Sequence, residues 1–223
     1  WGHYISSRLT GGGMYANNQG ASMGEGWGDF FALMTMAREA DQQLVGNDQW
    51  QAPYNDGGYA VNNGFVEFAY FFGLRRAPYS TNMEHNAFTF KHIQDQVKVP
   101  TTHPISNLYQ ADFHMDGALN SEVHNSGEIW ALMLWESYTA MLNRDGVSFS
   151  EAQSRMMDYM VASMKMTPFA PTFTEARDAL LAVAMATDAA DHQVIRAAFA
   201  KRGMGLTAQS PERFDAGFDG TFE

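Results

Sequence analysis

The chain has 223 residues and a net charge of −11 at pH 7, which argues against nucleic acid or an anionic membrane surface as a partner. With 45% hydrophobic and 17% charged residues it is a folding chain, long enough for one sizeable core and too hydrophobic for disorder. No apolar run reaches the roughly 18 residues needed to cross a bilayer, and the absence of cysteine excludes disulfides and Cys-ligated zinc.

The opening stretch, W-G-H-Y-I-S-S-R-L, places His3 where the last residue of an H-E-x-x-H motif would stand. In that motif two His one helical turn apart bind one metal ion, and the Glu between them is the general base. The first residue is Trp and not Met, so the expectation is of a chain cut inside the motif, with His-Glu just upstream. A lone His near a helix end is ordinarily a solvated or core residue. What changes its weight is the acid pair that follows.

Residues 10–21, T-G-G-G-M-Y-A-N-N-Q-G-A, read as a polar loop joining two helices, with Tyr15 its one large polar aromatic. The segment from Ser22 to Met36 reads as a helix, since Met23, Trp27, Phe30, Phe31 and Met34 recur three or four apart. Glu25 and Asp29 then stand at i and i+4 and share one face. Glu25 can ligate a metal, and Asp29 can accept the other ring N–H of a ligating His, an orientation such sites generally need. A merely solvated acidic stripe fits poorly beside Gly24, Gly26, Trp27, Gly28 and two Phe, where small residues let another backbone come close.

From Gln43 to Asn63, Gly, Pro, Asn and Asp cluster without period, which predicts a long surface loop. Asp48, Asp56 and its carbonyls are oxygen ligands of the kind calcium takes, at a spacing that matches no EF-hand, so calcium is a second candidate cofactor beside zinc. Phe65 to Phe72 reads as a buried strand or a short helix leading to Arg75 and Arg76. His85, His92, His103 and His114 lie at no metal-ligand spacing and read as surface or packing residues.

His124 stands just before a helix predicted over Glu128–Leu142, with Ser126 or Asn125 as its cap and Trp130, Leu134, Trp135 and Met141 toward the core. A rigid element can there aim the ring into a cleft, with Glu122 or Asn120 to orient it. Beyond residue 143 the pattern predicts a helix over Ser148–Met166, ended by Pro168 and Pro171. Another opens at Thr172 or Thr174 and runs to about Thr187, and a shorter one covers Asp191–Arg202 and stops at Gly203. Thr207 to Glu223 reads as an extended or frayed tail.

Four of these stretches together carry a resemblance. W-G-H-Y-I-S-S-R-L-T-G-G followed by M-G-E-G-W-G-D-F-F-A, then G-L-R-R-A-P-Y-S-T-N-M from Gly73 to Met83, F-K-H-I from Phe90 to Ile93, and V-H-N-S-G-E-I-W-A-L-M-L-W-E from Val123 to Glu136 occur in one order. The chain resembles the fungalysin family of secreted zinc metallopeptidases, relatives of thermolysin. The resemblance implies a mainly α fold over residues 1–223, the C-terminal lobe of a two-lobed zincin. It implies hydrolysis of peptide or protein substrates by a zinc-activated water, with His3 and Glu25 as metal ligands and Asp29 behind a ligating His. It also implies His124 as a hydrogen-bond donor to the tetrahedral intermediate, Tyr15 as a partner of the oxyanion, and Arg75, or Arg76, as the group that grips a substrate carbonyl. Export, an N-terminal lobe and a propeptide as partners follow from the same likeness. The missing His-Glu leaves a rival of another class, a protease-like binding module with a decayed motif. A second rival uses Glu25 and Asp29 as the acid and base of a glycoside hydrolase.

Overall fold

A computed structural model describes residues 1–61, 66–106, 114 and 116–223, without the side chains of 66–68. Among the described residues seven α-helices carry the fold: α1 Gly2–Leu9, α2 Asn18–Met36, α3 Val66–Phe72, α4 Val123–Leu142, α5 Phe149–Met166, α6 Phe173–Thr187 and α7 Ala189–Lys201. Among the described residues there is no strand, only isolated bridges pairing Tyr54 with Tyr79 and Gln209 with Phe222. The mainly helical architecture read from the sequence is the one observed. For Phe65–Phe72 the helix is realised from Val66 onward, Phe65 lying outside the described residues.

The core forms around α4. Its run from Asn125 to Thr139 is buried at every position, so it is covered on all sides, packed by α2, α5 and α7 rather than against one face. Trp130 meets Trp27 of α2 edge to face at 5.6 Å and lies 5.9 Å from Phe199 of α7. Hydroxyls cap the starts of α5 and α6: Ser148, rather than Ser150 that the S-F-S-E run also suggests, accepts from the Glu151 amide, and Thr172, rather than Thr174, forms a capping box with Glu175.

Two helix starts differ from the predicted ones. α2 begins at Asn18, four residues before Ser22, because the Asn17 side chain accepts from the Gly20 amide and caps it. α4 begins at Val123 and not Glu128, because Glu122, rather than Ser126 or Asn125, accepts from the amides of His124 and Asn125. His124 is therefore inside the first turn of α4. The tail is not frayed. Phe218 is completely buried, with Phe173 at 5.9 Å, and Thr221 is also buried.

Candidate active site

Glycine contacts between helix backbones set the geometry of the site. A β-carbon on Gly2 would stand 2.4 Å from the Gly28 Cα, so α1 crosses α2 in direct backbone contact. One on Gly26 would stand 2.3 Å from the Gly127 carbonyl oxygen, so α4 crosses α2 equally closely. These crossings flank Glu25, and they deliver His3 from α1 and His124 from α4 to its two sides. Gly24 has a different neighbour, the ring of Tyr15.

The Glu25 carboxylate lies between two imidazoles. Its Oε1 is 3.2 Å from His3 Nε2, and its Oε2 is 3.4 Å from His124 Nε2. Glu25 itself is largely covered, while the two rings are 56% and 40% exposed, so the cluster opens to solvent on the histidine side. The 3.2 Å between His3 Nε2 and Glu25 Oε1 suits two donors that share one tetrahedral ion at about 2.0–2.2 Å each. Among the described residues no three His, Asp or Glu side chains converge as a complete metal-holding group. The residues present therefore fit a metal as two of its ligands.

Each histidine has its own holder. Glu122 Oε1 lies 2.7 Å from His124 Nδ1, which decides for Glu122 over Asn120 as the group that orients this ring. Asn120 is occupied elsewhere, accepting from Arg76 and donating to the carbonyls of Gln94 and Val97. The Glu122 hydrogen bond holds the His124 imidazole above the usual histidine range, against partial burial, which pulls it down. Partial burial pushes the Glu122 carboxyl up, but the hydrogen bond and charge of His124 outweigh it and leave Glu122 below its ordinary value. On His3, Nδ1 is 3.0 Å from the Tyr15 hydroxyl, which is itself 3.0 Å from Ser6 Oγ.

The group behind His3 is Tyr15, and Asp29 is held by an arginine. Arg75 grips it with Nε on Oδ2 at 2.6 Å and Nη2 on Oδ1 at 2.7 Å, and the Tyr79 hydroxyl donates a further short hydrogen bond. Asp29 is one turn further along α2 than Glu25, about 6 Å on, where the segment after α3 passes rather than α1. So fixed, it is a poor partner for Glu25 in the acid–base chemistry of a glycosidase. The carboxyl of Asp56 also hydrogen-bonds Asp29, and burial, then the charge of Asp29, push it up to about 7. Asp48, by contrast, is exposed on a short 3-10 turn.

The two arginines separate cleanly. Arg76 is 1% exposed and is consumed by Glu128, Asn120 and the Asn125 carbonyl, under the ring of Phe88, so it cannot reach a bound peptide. Arg75 is at the edge of the cluster, its Nη2 3.9 Å from Glu25 Oε2. His92 and His103 are packing residues: His92 accepts from the Thr89 amide and burial lowers it to about 4, while His103 accepts from the Ala87 amide. Ser6 and Tyr79 are site neighbours whose roles no sequence motif marks. Only Glu122, two residues before His124, carried a local signal.

The fold and site define a helical chain that sets one carboxylate between histidines of two other helices, with an Arg–Asp fork behind it. The chain belongs to the fungalysin metallopeptidase family (M36), whose model matches residues 1–208. It is 30% identical over 223 aligned residues to an extracellular metalloproteinase (mep) of Aspergillus terreus, covering 92% of this chain and 29% of that protein. A second extracellular metalloproteinase (MEP), from Neosartorya fischeri, is 30% identical over 95% of this chain and 30% of its own length. Extracellular metalloproteinase 2 of Trichophyton tonsurans is 27% identical over 92% and 29%. The chain thus spans about a third or less of the length of the curated relatives it matches.

Proposed function

We propose that this chain is the C-terminal helical lobe of a secreted, zinc-dependent endopeptidase. The observation that carries the reading is the Glu25 carboxylate set 3.2 Å from His3 Nε2 and 3.4 Å from His124 Nε2. His3 and Glu25 would hold the ion, and the remaining His and the general-base Glu are expected in the H-E that precedes Trp1 in the family pattern. When bound, zinc supplies a charge that polarises a peptide carbonyl and lowers the pKa of a water. The chain's own residues do the rest. His124, its ring held by Glu122 at Nδ1, donates from Nε2 to the oxygen on which negative charge develops. Arg75, anchored on Asp29, presents its guanidinium beside Glu25, where it can hold a substrate carbonyl. The extracellular setting rests on the relatives' names, and the N-terminal lobe and propeptide as partners on the family resemblance alone.

The test compares two polypeptides. In a longer chain carrying His-Glu directly before Trp1, chelator-sensitive peptide hydrolysis is expected. There, Glu25→Gln should abolish zinc retention, and His124→Ala should lower kcat by about 10²–10³. The 223-residue chain alone should lose zinc on dialysis and hydrolyse nothing. Stoichiometric zinc in the dialysed 223-residue chain, or peptidase activity that survives Glu25→Gln, overturns the reading.

A further inference from the structure

His3 offers a metal its Nε2 lone pair only when the ring proton is on Nδ1, so the group facing Nδ1 decides whether the ligand is ready. That group is the Tyr15 hydroxyl at 3.0 Å. Tyr15 is not alone there. Its oxygen is 3.0 Å from Ser6 Oγ, and Ser6 Oγ can donate to the main-chain carbonyl of His3 at 3.2 Å. Ser6 is wholly buried, so its hydroxyl must find its partners within this group. The Tyr15 ring is seated on Gly24, the residue before Glu25, where a β-carbon would come within 2.8 Å of it. One closed circuit therefore joins α1 to the segment of α2 that bears the carboxylate.

The circuit can run in two directions. In one, Ser6 donates to Tyr15 and Tyr15 donates to Nδ1, which leaves the ring proton on Nε2, 3.2 Å from the Glu25 carboxylate. In the other, Nδ1–H donates to Tyr15, Tyr15 donates to Ser6, and Ser6 donates to the His3 carbonyl. Every donor then has an acceptor, and Nε2 is bare. The ring keeps one proton in both states. That proton exchanges through solvent between its two nitrogens, and the hydroxyl hydrogens only rotate.

We propose that Ser6 and Tyr15 form a reversible tautomer relay that lets His3 pass from partner of Glu25 to ligand of a metal ion without an unsatisfied donor. Tyr15 is thereby a positioning residue of the site, as is Ser6. Burial, then the charge of Glu25, keep the Tyr15 phenol neutral despite the Ser6 hydrogen bond, so its proton stays available to turn. The inference rests on the reading of His3 as a zinc ligand.

The experiment is a zinc titration of the ¹⁵N-histidine-labelled 223-residue chain, followed at the His3 ring by long-range ¹H–¹⁵N correlation, which distinguishes the two tautomers directly. Zinc should drive His3 to the Nδ1–H form. Tyr15→Phe keeps the ring on Gly24 but removes the acceptor, so half-saturation at His3 should need about 10–100-fold more zinc. Ser6→Ala leaves Tyr15 able to accept and should raise it less, with circular dichroism unchanged in both variants. A purely structural Tyr15 predicts the same midpoint and the same tautomer in all three proteins, and that result overturns the relay. Zinc that leaves His3 untouched in the unaltered chain overturns the metal reading itself, a distinct result.

Discussion

Glu122 does two jobs with one carboxylate. Oε1 faces His124 Nδ1 while Oε2 accepts from the His124 and Asn125 amides, so the residue that holds the imidazole also starts the helix carrying it. Glu122→Gln keeps the shape and removes the charge. His124 should then titrate closer to the ordinary histidine value, a shift read from its ring resonances against pH. The linkage signs define where stability is lost. A raised His124 adds stability that is fully present below its unfolded pKa and fades as pH rises through its folded value. A lowered Glu122 adds stability above its unfolded pKa that fades as pH falls through its folded value. The deficit of Glu122→Gln is therefore widest between the two, near pH 5–6.5, and smaller on either side. With the ring 40% exposed, solvent screening keeps it to about 1 kcal/mol or less. A urea midpoint measured across pH checks this, and a deficit flat from pH 5 to 8 contradicts it.

Helix contacts set the spacing of the site, and glycine sets the helix contacts. Gly26 and Gly28 are two residues apart on α2, yet they should respond oppositely to a methyl group. At Gly26 the new carbon would meet the Gly127 carbonyl at 2.3 Å, and a backbone cannot turn aside as a side chain can. Gly26→Ala should therefore cost about 1–3 kcal/mol and part Glu25 from His124. At Gly28 a β-carbon finds nothing within 4 Å, so Gly28→Ala should be stabilising by about 0.5–1 kcal/mol through helix propensity alone. Thermal unfolding of the pair decides the matter, and equal effects of the two would remove glycine packing as the cause. The crowding of small residues around Glu25 was legible in the sequence, and so were the four long helices and the nearness of Glu25 to His3. The starts of α2 and α4 were not. Asn17 and Glu122 cap from within stretches whose Asn, Ser and Gly content reads as loop, and caps depend on a local side-chain turn that periodicity does not record. Nor could spacing show that Arg75 claims Asp29, because that fork closes between residues 46 apart in sequence.

Over the whole molecule, the last residues close a circuit back to the first helices. Asn17 donates to the carbonyls of Ala170, Pro171 and Arg213, and Gln19 to those of Pro211 and Glu212. Asn18 reaches Ser121 and Ala216, while Arg213 pairs with Glu175 of α6 at 2.6 Å. The tail thus holds the start of α2, just after the turn that carries Tyr15, and ties it to the entry of α4. Its sequence reads as an extended or frayed end because its apolar residues are few and unperiodic. One of them, Phe218, is nevertheless fully buried against Phe173, and its position decides between a strap and a loose end. A loose end predicts a change within about 0.5 kcal/mol for Phe218→Ala, as at an ordinary surface position. A strap predicts a loss of about 3–5 kcal/mol, the usual cost of emptying a buried Phe site. The two also differ in where the molecule loosens. If the tail clamps α2, amide exchange in Phe218→Ala should quicken first at Gly20–Ser22, whose neighbours Asn17–Gln19 hold the tail carbonyls, while the middle of α4 keeps its protection. Uniform loss of protection would mean that Phe218 supports the core alone, and that the tail has no privileged hold on the helix that bears Glu25.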